Sequence, residues 1–312
     1  MYTNLFSKID IQGISLKNRL TMAPLYLGYA GEGGTVSAML LDHYRLMGQS
    51  GVAMVVVENA TIDFAAGSGS PRTLRADSDD CLDGLRQLAD TIKEEGTRAC
   101  LQINHAGRFA HAAQEPVAPS AVETFGRMPM ALDQTGIERI IAQYANAANL
   151  AKVAGFDMVE LHGGTGYLLA QFLSPRTNHR HDRYGGTLEN RQRFALEVVA
   201  RVRATVGDFP VGYRFLADEW MPDGLQLAES RIFAQRLERA GVAYISVMGG
   251  TYESFMLPDI VQQSKQQGYM LDLAAAIRST VMVPVIAAGR LATGAFAEQA
   301  IAEGKTDLIG LA

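Results

Sequence analysis

Residues 150–167 read LAKVAGFDMVELHGGTGY, and the order of residue types in that stretch decides the architecture. The end of an amphipathic run stops at Gly155, and an apolar strand begins three residues later at Met158. The same unit recurs with Gly51 before AMVVV, Gly96 before ACLQI, Gly241 before YISVM and Gly304 before LIGLA, while Gly207 before VGYRF is a looser case. Glycine suits the left-handed residue that closes a helix. Strands that are apolar on consecutive positions are covered on both faces, as in parallel sheets, and each parallel neighbour needs a crossover, usually helical.

Strands are predicted over residues 20–23, 54–57, 99–102, 158–161, 211–215, 244–247, 285–287 and 308–311. Helices are predicted over 40–47, 82–94, 137–154, 189–206, 227–240, 271–280 and 295–302, the third opened by a capping box of Thr135 and Glu138. Eight strands joined by crossover helices are the count of a closed (β/α)8 TIM barrel, whereas a doubly wound sheet usually has fewer strands and two open edges. With no linker or low-complexity segment, residues 1–312 are expected to form one barrel domain. The chain stops directly after strand eight, where a closing helix is due, so the barrel is expected to be truncated. Two connections, residues 107–134 and 162–187, exceed ordinary loop length, and such connections are usually functional.

Composition removes several function classes. The chain is 48% hydrophobic, enough for a sizeable core, and its formal charge of −5 leaves no basic excess for nucleic acid or anionic lipid. Two cysteines are too few for a disulfide framework or an iron–sulfur cluster, and no metal site is expected. No signal peptide and no membrane-spanning run is read, so a cytoplasmic location is expected.

Active sites of such barrels lie at the C-terminal ends of the strands. There the sequence places Gln102 and Arg214 among small residues such as Ala60 that would admit a flat ring, and Gly289–Arg290 after strand seven, where many barrels hold phosphate. Together these suggest a phosphorylated planar cofactor; alternatively, Gln102 and Arg214 only satisfy polar groups around the mouth. His162 and Tyr167 share a glycine-rich loop, five residues apart, which is not a helical metal-site spacing. A lone histidine more often satisfies a structural hydrogen bond, and a lone tyrosine more often packs; their place at a strand end favours function. His43 and His111 offer no constellation.

Several long segments carry a family resemblance: LFSKIDIQGISLKNRLTMAPL at residues 5–25, LQINHAGR at 101–108, GFDMVELHGGTGYLLAQFLSPRTNHRHDRYGGTLENRQRF at 155–194, VPVIAAGR at 283–290 and DLIGLA at 307–312. The chain resembles the old yellow enzymes, FMN-dependent ene-reductases, and within them the flavin domain of bacterial 2,4-dienoyl-CoA reductases. The resemblance implies that Ala23, Pro24, Leu25, Tyr26, Ala60, Gln102 and Arg214 line the flavin, and that Gly289 and Arg290 face its phosphate. It further implies that Tyr167 is a proton donor and that His162, with Thr165 beside it, binds the oxygen of an activating carbonyl.

The expected reaction is reduction of the activated C=C bond of a small α,β-unsaturated molecule, such as an enone, enoate or dienoyl thioester, with NADPH or NADH as reductant. A homo-oligomer is compatible with this reading. Three departures bear on it. Thr165 stands where many members have His or Asn, Tyr26 where the family often has Thr or Cys, and the chain ends before an arginine that helps hold the phosphate. They keep open a flavin barrel for amine oxidation or redox-neutral enone isomerisation, and a catalytically idle flavin-binding barrel.

Overall fold

A computed structural model describes residues 2–312. Eight parallel strands close on themselves: β1 Leu20–Met22, β2 Met54–Thr61, β3 Arg98–Asn104, β4 Met158–Gly163, β5 Val211–Asp218, β6 Tyr244–Gly249, β7 Val285–Ala287 and β8 Leu308–Leu311. The seam is the pairing of β8 with β1, where Ile309, Gly310 and Leu311 lie opposite Leu20, Thr21 and Met22. Seven crossover helices follow: α1 Ala38–Gln49, α2 Leu82–Lys93, α3 Gln134–Val153, α4 Leu188–Val206, α5 Leu227–Arg239, α6 Leu271–Arg278 and α7 Gly294–Ala302. The predicted (β/α)8 barrel is therefore the observed fold, and Gly51, Gly96, Gly155, Gly207, Gly241 and Gly304 all have positive φ as closing residues should.

Strand alternation divides the side chains between two environments. Val55, Val57, Leu101, Val159 and Leu161 pack outward against helix residues such as Leu85, Ile140 and Val198. Their neighbours Met54, Val56, Cys100 and Met158 point into the barrel, with Tyr244, Ile286 and Leu308. Continued along the same strands, the inward parity carries Gln102, Glu160, His162, Arg214 and Ser246 toward the mouth.

The closed end is filled by an element absent from the sequence-based expectation. Ile9–Ile11 and Ile14–Leu16 form an antiparallel hairpin turned by Gln12 and Gly13, both at positive φ, as a two-residue hairpin loop requires. Its Ile11 and Leu16 are wholly buried against the inward floor residues. Only two apolar inward positions per strand are offered, too few to register as a strand when the expectation rests on continuous apolar runs.

The start of α3 also differs. Asp133, not a box of Thr135 and Glu138, caps the helix, its side chain accepting from the Gly136 amide at 2.7 Å. Thr135 lies inside the first turn, and Glu138 accepts from Gln134 at 2.7 Å. An aspartate that reaches the free amide competes successfully because its charge favours the helix N-terminus.

Most strands run further than predicted, so the polar residues expected beyond them occupy their last rungs. At the end of β2 the register slips between Val57 and Ala60. In that bulge the fully buried Glu58 accepts from the Leu27 amide at 2.7 Å through Oε2, tying down the segment that leaves β1, while Oε1 has no partner. Burial raises this carboxyl from 4.5 to about 7, with the Leu27 amide pulling the other way.

Two outcomes follow from this packing. Leu16→Ala should destabilise the fold by ~2–5 kcal/mol in a denaturant melt, because it leaves a cavity in the floor; a loss below ~0.5 kcal/mol would show the hairpin to be a loose appendage. Glu58 holds a proton in the folded chain that the unfolded chain releases near 4.5, so its stabilisation is complete below that pH and is lost as pH rises through about 7. Glu58→Gln should accordingly gain up to ~3 kcal/mol on the wild type between pH 4.5 and 8, and parallel stability profiles for the two proteins would contradict the assignment.

Candidate active site

At the open end, β4 runs into a loop whose backbone is bent to present two side chains together. Thr165 and Gly166 both have positive φ, 59° and 85°, a conformation that costs energy for threonine and recurs at functional sites. Gln171 on the short helix Leu168–Leu173 holds the loop by donating to the carbonyls of Gly166 at 2.7 Å and Ala106 at 3.1 Å. The result places the rings of His162 and Tyr167 edge to face, with centroids 4.8 Å apart.

The protonation of both rings follows from their surroundings. His162 Nδ1 accepts from the Gly164 amide at 3.2 Å, so the ring proton resides on Nε2. Burial, then the Arg214 guanidinium, pushes this imidazole down to about 3, and it is neutral at physiological pH. Tyr167 is raised well above 10 by burial, then by Tyr252 and Tyr26, and keeps its phenolic proton. Its Oη lies 2.6 Å from the Tyr252 Oη. The loop after β6 that carries Tyr252 is anchored by Glu253, which pairs with the buried Arg108 and, at 3.5 Å, with Arg176.

Tyr167, Tyr252 and Tyr26 face a cavity of about 420 Å³ together with Phe109, His111, Phe125 and Met256. Tyr26 leaves β1 on the segment tied by Glu58 and donates to Ser70 Oγ at 2.6 Å. The lining is largely aromatic. Tyr252 and Phe125 carry no expectation from the sequence, and His111, expected to belong to no constellation, stands on the cavity wall beside Phe125. Phe125 and His111 lie in the long 107–134 connection, and Tyr252 stands only two residues beyond the Gly249–Gly250 pair that ends β6. Position after a barrel strand was the available signal for Tyr252. The two glycines themselves make room for Trp220, whose ring a Cβ at either would approach to 2.6 or 2.9 Å.

A second cavity, about 770 Å³, opens beside the first and is bordered by Ala23, Pro24, Leu25, Arg214, Gly289 and Arg290. Its floor is made of small groups on adjoining strands: a Cβ at Gly310 would sit 3.3 Å from Ala288 Cβ and 3.4 Å from Ala23 Cβ. Arg214 donates to Ser246 Oγ at 2.8 Å, and Arg290 spends Nε on the Ser264 carbonyl at 2.7 Å, leaving its terminal nitrogens uncommitted in that bond. A floor of small groups bordered by two arginines fits a planar ring carrying a phosphate, so the donor set suits FMN.

The structure thus gathers Ala23, Pro24, Leu25, Arg214, Gly289 and Arg290 on one cavity, and Tyr26 and Tyr167 on its neighbour. Ala60 and Gln102 are buried, and neither they nor His162 and Thr165 line either cavity; Gln102 donates to Glu160 at 2.7 Å. Thr165 Oγ1 contacts the Met248 sulfur at 3.5 Å, a weak acceptor. Among the described residues no helix is long and apolar enough to cross a membrane.

Comparison with known proteins shows what the chain as a whole is similar to. The model of the NADH:flavin oxidoreductase / NADH oxidase family matches residues 4–312. An NADH oxidase of Thermoanaerobacter brockii is 40% identical over 318 residues, covering 99% of this chain and 48% of the relative. An NADPH dehydrogenase of Geobacillus sp. (strain WCH70) is 37% identical over 315 residues, covering 100% of this chain and 90% of the relative. A solved 2-naphthoyl-CoA reductase in complex with 2-naphthoyl-CoA superposes with a TM-score of 0.94 at 29% identity, over 99% of this chain and 50% of that one. The chain spans about half the length of some curated relatives it matches and nine-tenths of others. With a matching barrel and a family match along nearly its whole length, the chain belongs to the NADH:flavin oxidoreductase / NADH oxidase family, the old yellow enzymes, which work through FMN with NADH or NADPH as reductant.

Proposed function

We propose that the protein is an FMN-dependent oxidoreductase that uses NADPH or NADH to reduce the activated C=C bond of an α,β-unsaturated carbonyl compound. The observation that carries this reading is the neutral imidazole of His162 in edge-to-face contact with the protonated phenol of Tyr167 over the same open end as the flavin cradle.

Arg214 and Gln102 would hold the polar edge of the isoalloxazine, Ala23, Pro24 and Leu25 its face, and Gly289 with Arg290 the phosphate. When bound, FMN supplies the hydride. His162 Nε2–H donates to the carbonyl oxygen, where negative charge grows as the β-carbon is reduced, and a fixed donor there lowers the barrier. The Thr165 hydroxyl, held only by a sulfur, is free to turn to the same oxygen. Tyr167 delivers its proton to the α-carbon. Tyr252, hydrogen-bonded to Tyr167 and 43% exposed, is placed to stabilise the resulting phenolate and return a proton from solvent.

The aromatic walls narrow the substrate. Tyr26, Phe109, Phe125 and Tyr252 suit an alkene flanked by a flat apolar group, which buries area against rings. The solved relative carries the polycyclic 2-naphthoyl group, in keeping with that shape. A second reading, redox-neutral isomerisation of an enone, is favoured by the paired tyrosine hydroxyls, which could move a proton between carbons without hydride.

Anaerobic rapid mixing separates these readings. The visible flavin band should bleach with NADPH and recover with an aryl-substituted enone; product formed without nucleotide would instead indicate isomerisation, and a reduced flavin inert to enones would contradict the proposal. Tyr167→Phe should slow recovery by ~10²-fold or more while bleaching stays within ~2-fold, whereas equal slowing of both halves would remove its proton-donor role. An aryl enone should exceed the unsubstituted cyclic enone in kcat/KM by ~10-fold, equivalent to ~1.4 kcal/mol of ring contact, and no preference would show the walls to be idle.

A further inference from the structure

Beneath the flavin cradle, strand parity brings four polar side chains into a connected line inside the barrel. Gln102 on β3 and Glu160 on β4 are register partners, and the Gln102 Nε2 donates to Glu160 Oε1 at 2.7 Å. Tyr244 on β6 donates to Glu160 Oε2 at 2.9 Å, and its Oη lies 3.4 Å from the Cys100 sulfur. Gln102, Glu160, Tyr244 and Cys100 are all essentially inaccessible to solvent. The intervening strand makes this reach available through Gly212, where a Cβ would stand 2.1 Å from the Tyr244 ring. A carboxyl so deeply buried costs several kcal/mol unless its oxygens are satisfied, and here each has one donor. Packing alone would be served by an apolar residue.

We propose that Glu160 is a positioning residue for the flavin: it fixes the amide of Gln102 and sets how tightly reduced FMN is held relative to oxidised FMN. The proposal rests on the reading of Gln102 and Arg214 as flavin contacts. Glu160 engages one amide N–H, so the Gln102 amide cannot flip without setting its carbonyl against the carboxylate. This keeps Oε1 and the second N–H as an acceptor–donor pair, the pattern that complements the alternating C=O and N–H edge of a flavin pyrimidine ring. The charge acts on the same ring. Burial raises the Glu160 carboxyl above its usual range, while Arg214, hydrogen-bonded to Ser246, and the Gln102 and Tyr244 donors pull the other way; in its ionised form Glu160 tempers the positive field that Arg214 presents to the electron-rich reduced ring.

The test uses apoprotein titrated with FMN, followed by flavin fluorescence, and spectroelectrochemistry of the loaded protein. Glu160→Gln keeps shape and hydrogen-bonding capacity but removes the charge. Oxidised FMN should bind within ~3-fold of wild type, while the preference for reduced over oxidised FMN should rise ~10-fold, a midpoint potential ~30 mV higher for this two-electron couple. Tyr244→Phe strips a donor that favours the ionised carboxyl, pushes Glu160 further toward its neutral form, and should raise the potential in the same direction by a smaller amount; it carries the test alone if Glu160→Gln does not fold. Unchanged potential in the variants that fold overturns the proposal. Wild-type protein that takes up no FMN would instead overturn the flavin reading beneath it.

Discussion

Closure of the parallel sheet is the constraint from which the rest follows. Once β8 pairs with β1, every strand has two neighbours, no edge is left open, and all eight C-terminal ends meet in one ring. Alternation then decides which side chains enter that ring. Residues far apart in sequence, such as Gln102, His162, Arg214 and Ser246, become neighbours because each has inward parity on an adjacent strand. The chemistry of the open end is thus a consequence of register: a slip of one residue on β4 would turn His162 outward and Leu161 inward.

The interior is graded along the barrel axis. Apolar side chains and the hairpin plug fill the closed end, a satisfied polar line lies above them, and the two cavities open at the top. That gradient explains why neutral forms dominate among the ring side chains at the open end. Burial drives His162 toward its neutral form and Tyr167 away from ionisation, so a donor imidazole and a donor phenol coexist without competing for charge. The supporting contacts are more ionic: Glu253 with Arg108 and Arg176 fixes the Tyr252 loop from outside the cavity.

Much of this was legible in the sequence because it is periodic. Glycine-terminated helices followed by apolar runs marked six of the eight barrel strands, and strand-end position singled out His162, Tyr167, Arg214 and Arg290. What escaped depends on contacts between distant segments. The hairpin at residues 9–16 is stabilised by the barrel floor rather than by its own pattern, and Asp133 outcompetes Thr135 only once α3 has its start. The partnership of Tyr252 with Tyr167 spans 85 residues, and the role of Gly212 is visible only when the Tyr244 ring is seen crossing it. Thr165 is marked in the sequence as a departure from the His or Asn of many members; its positive φ and its contact with Met248 are properties of the folded loop.

The proposed chemistry requires a single arrangement: a flat substrate held between the flavin cradle and the His162–Tyr167 pair. The most direct measurement is a crystal structure of FMN-loaded protein with a non-reducible aryl carbonyl analogue bound. The account predicts the isoalloxazine over the Ala23–Ala288–Gly310 floor, and the analogue's carbonyl oxygen ~2.7–3.1 Å from His162 Nε2, with the aryl group against Tyr26 and Tyr252. An analogue seated away from His162, or a flavin bound elsewhere than between Arg214 and Arg290, would contradict it.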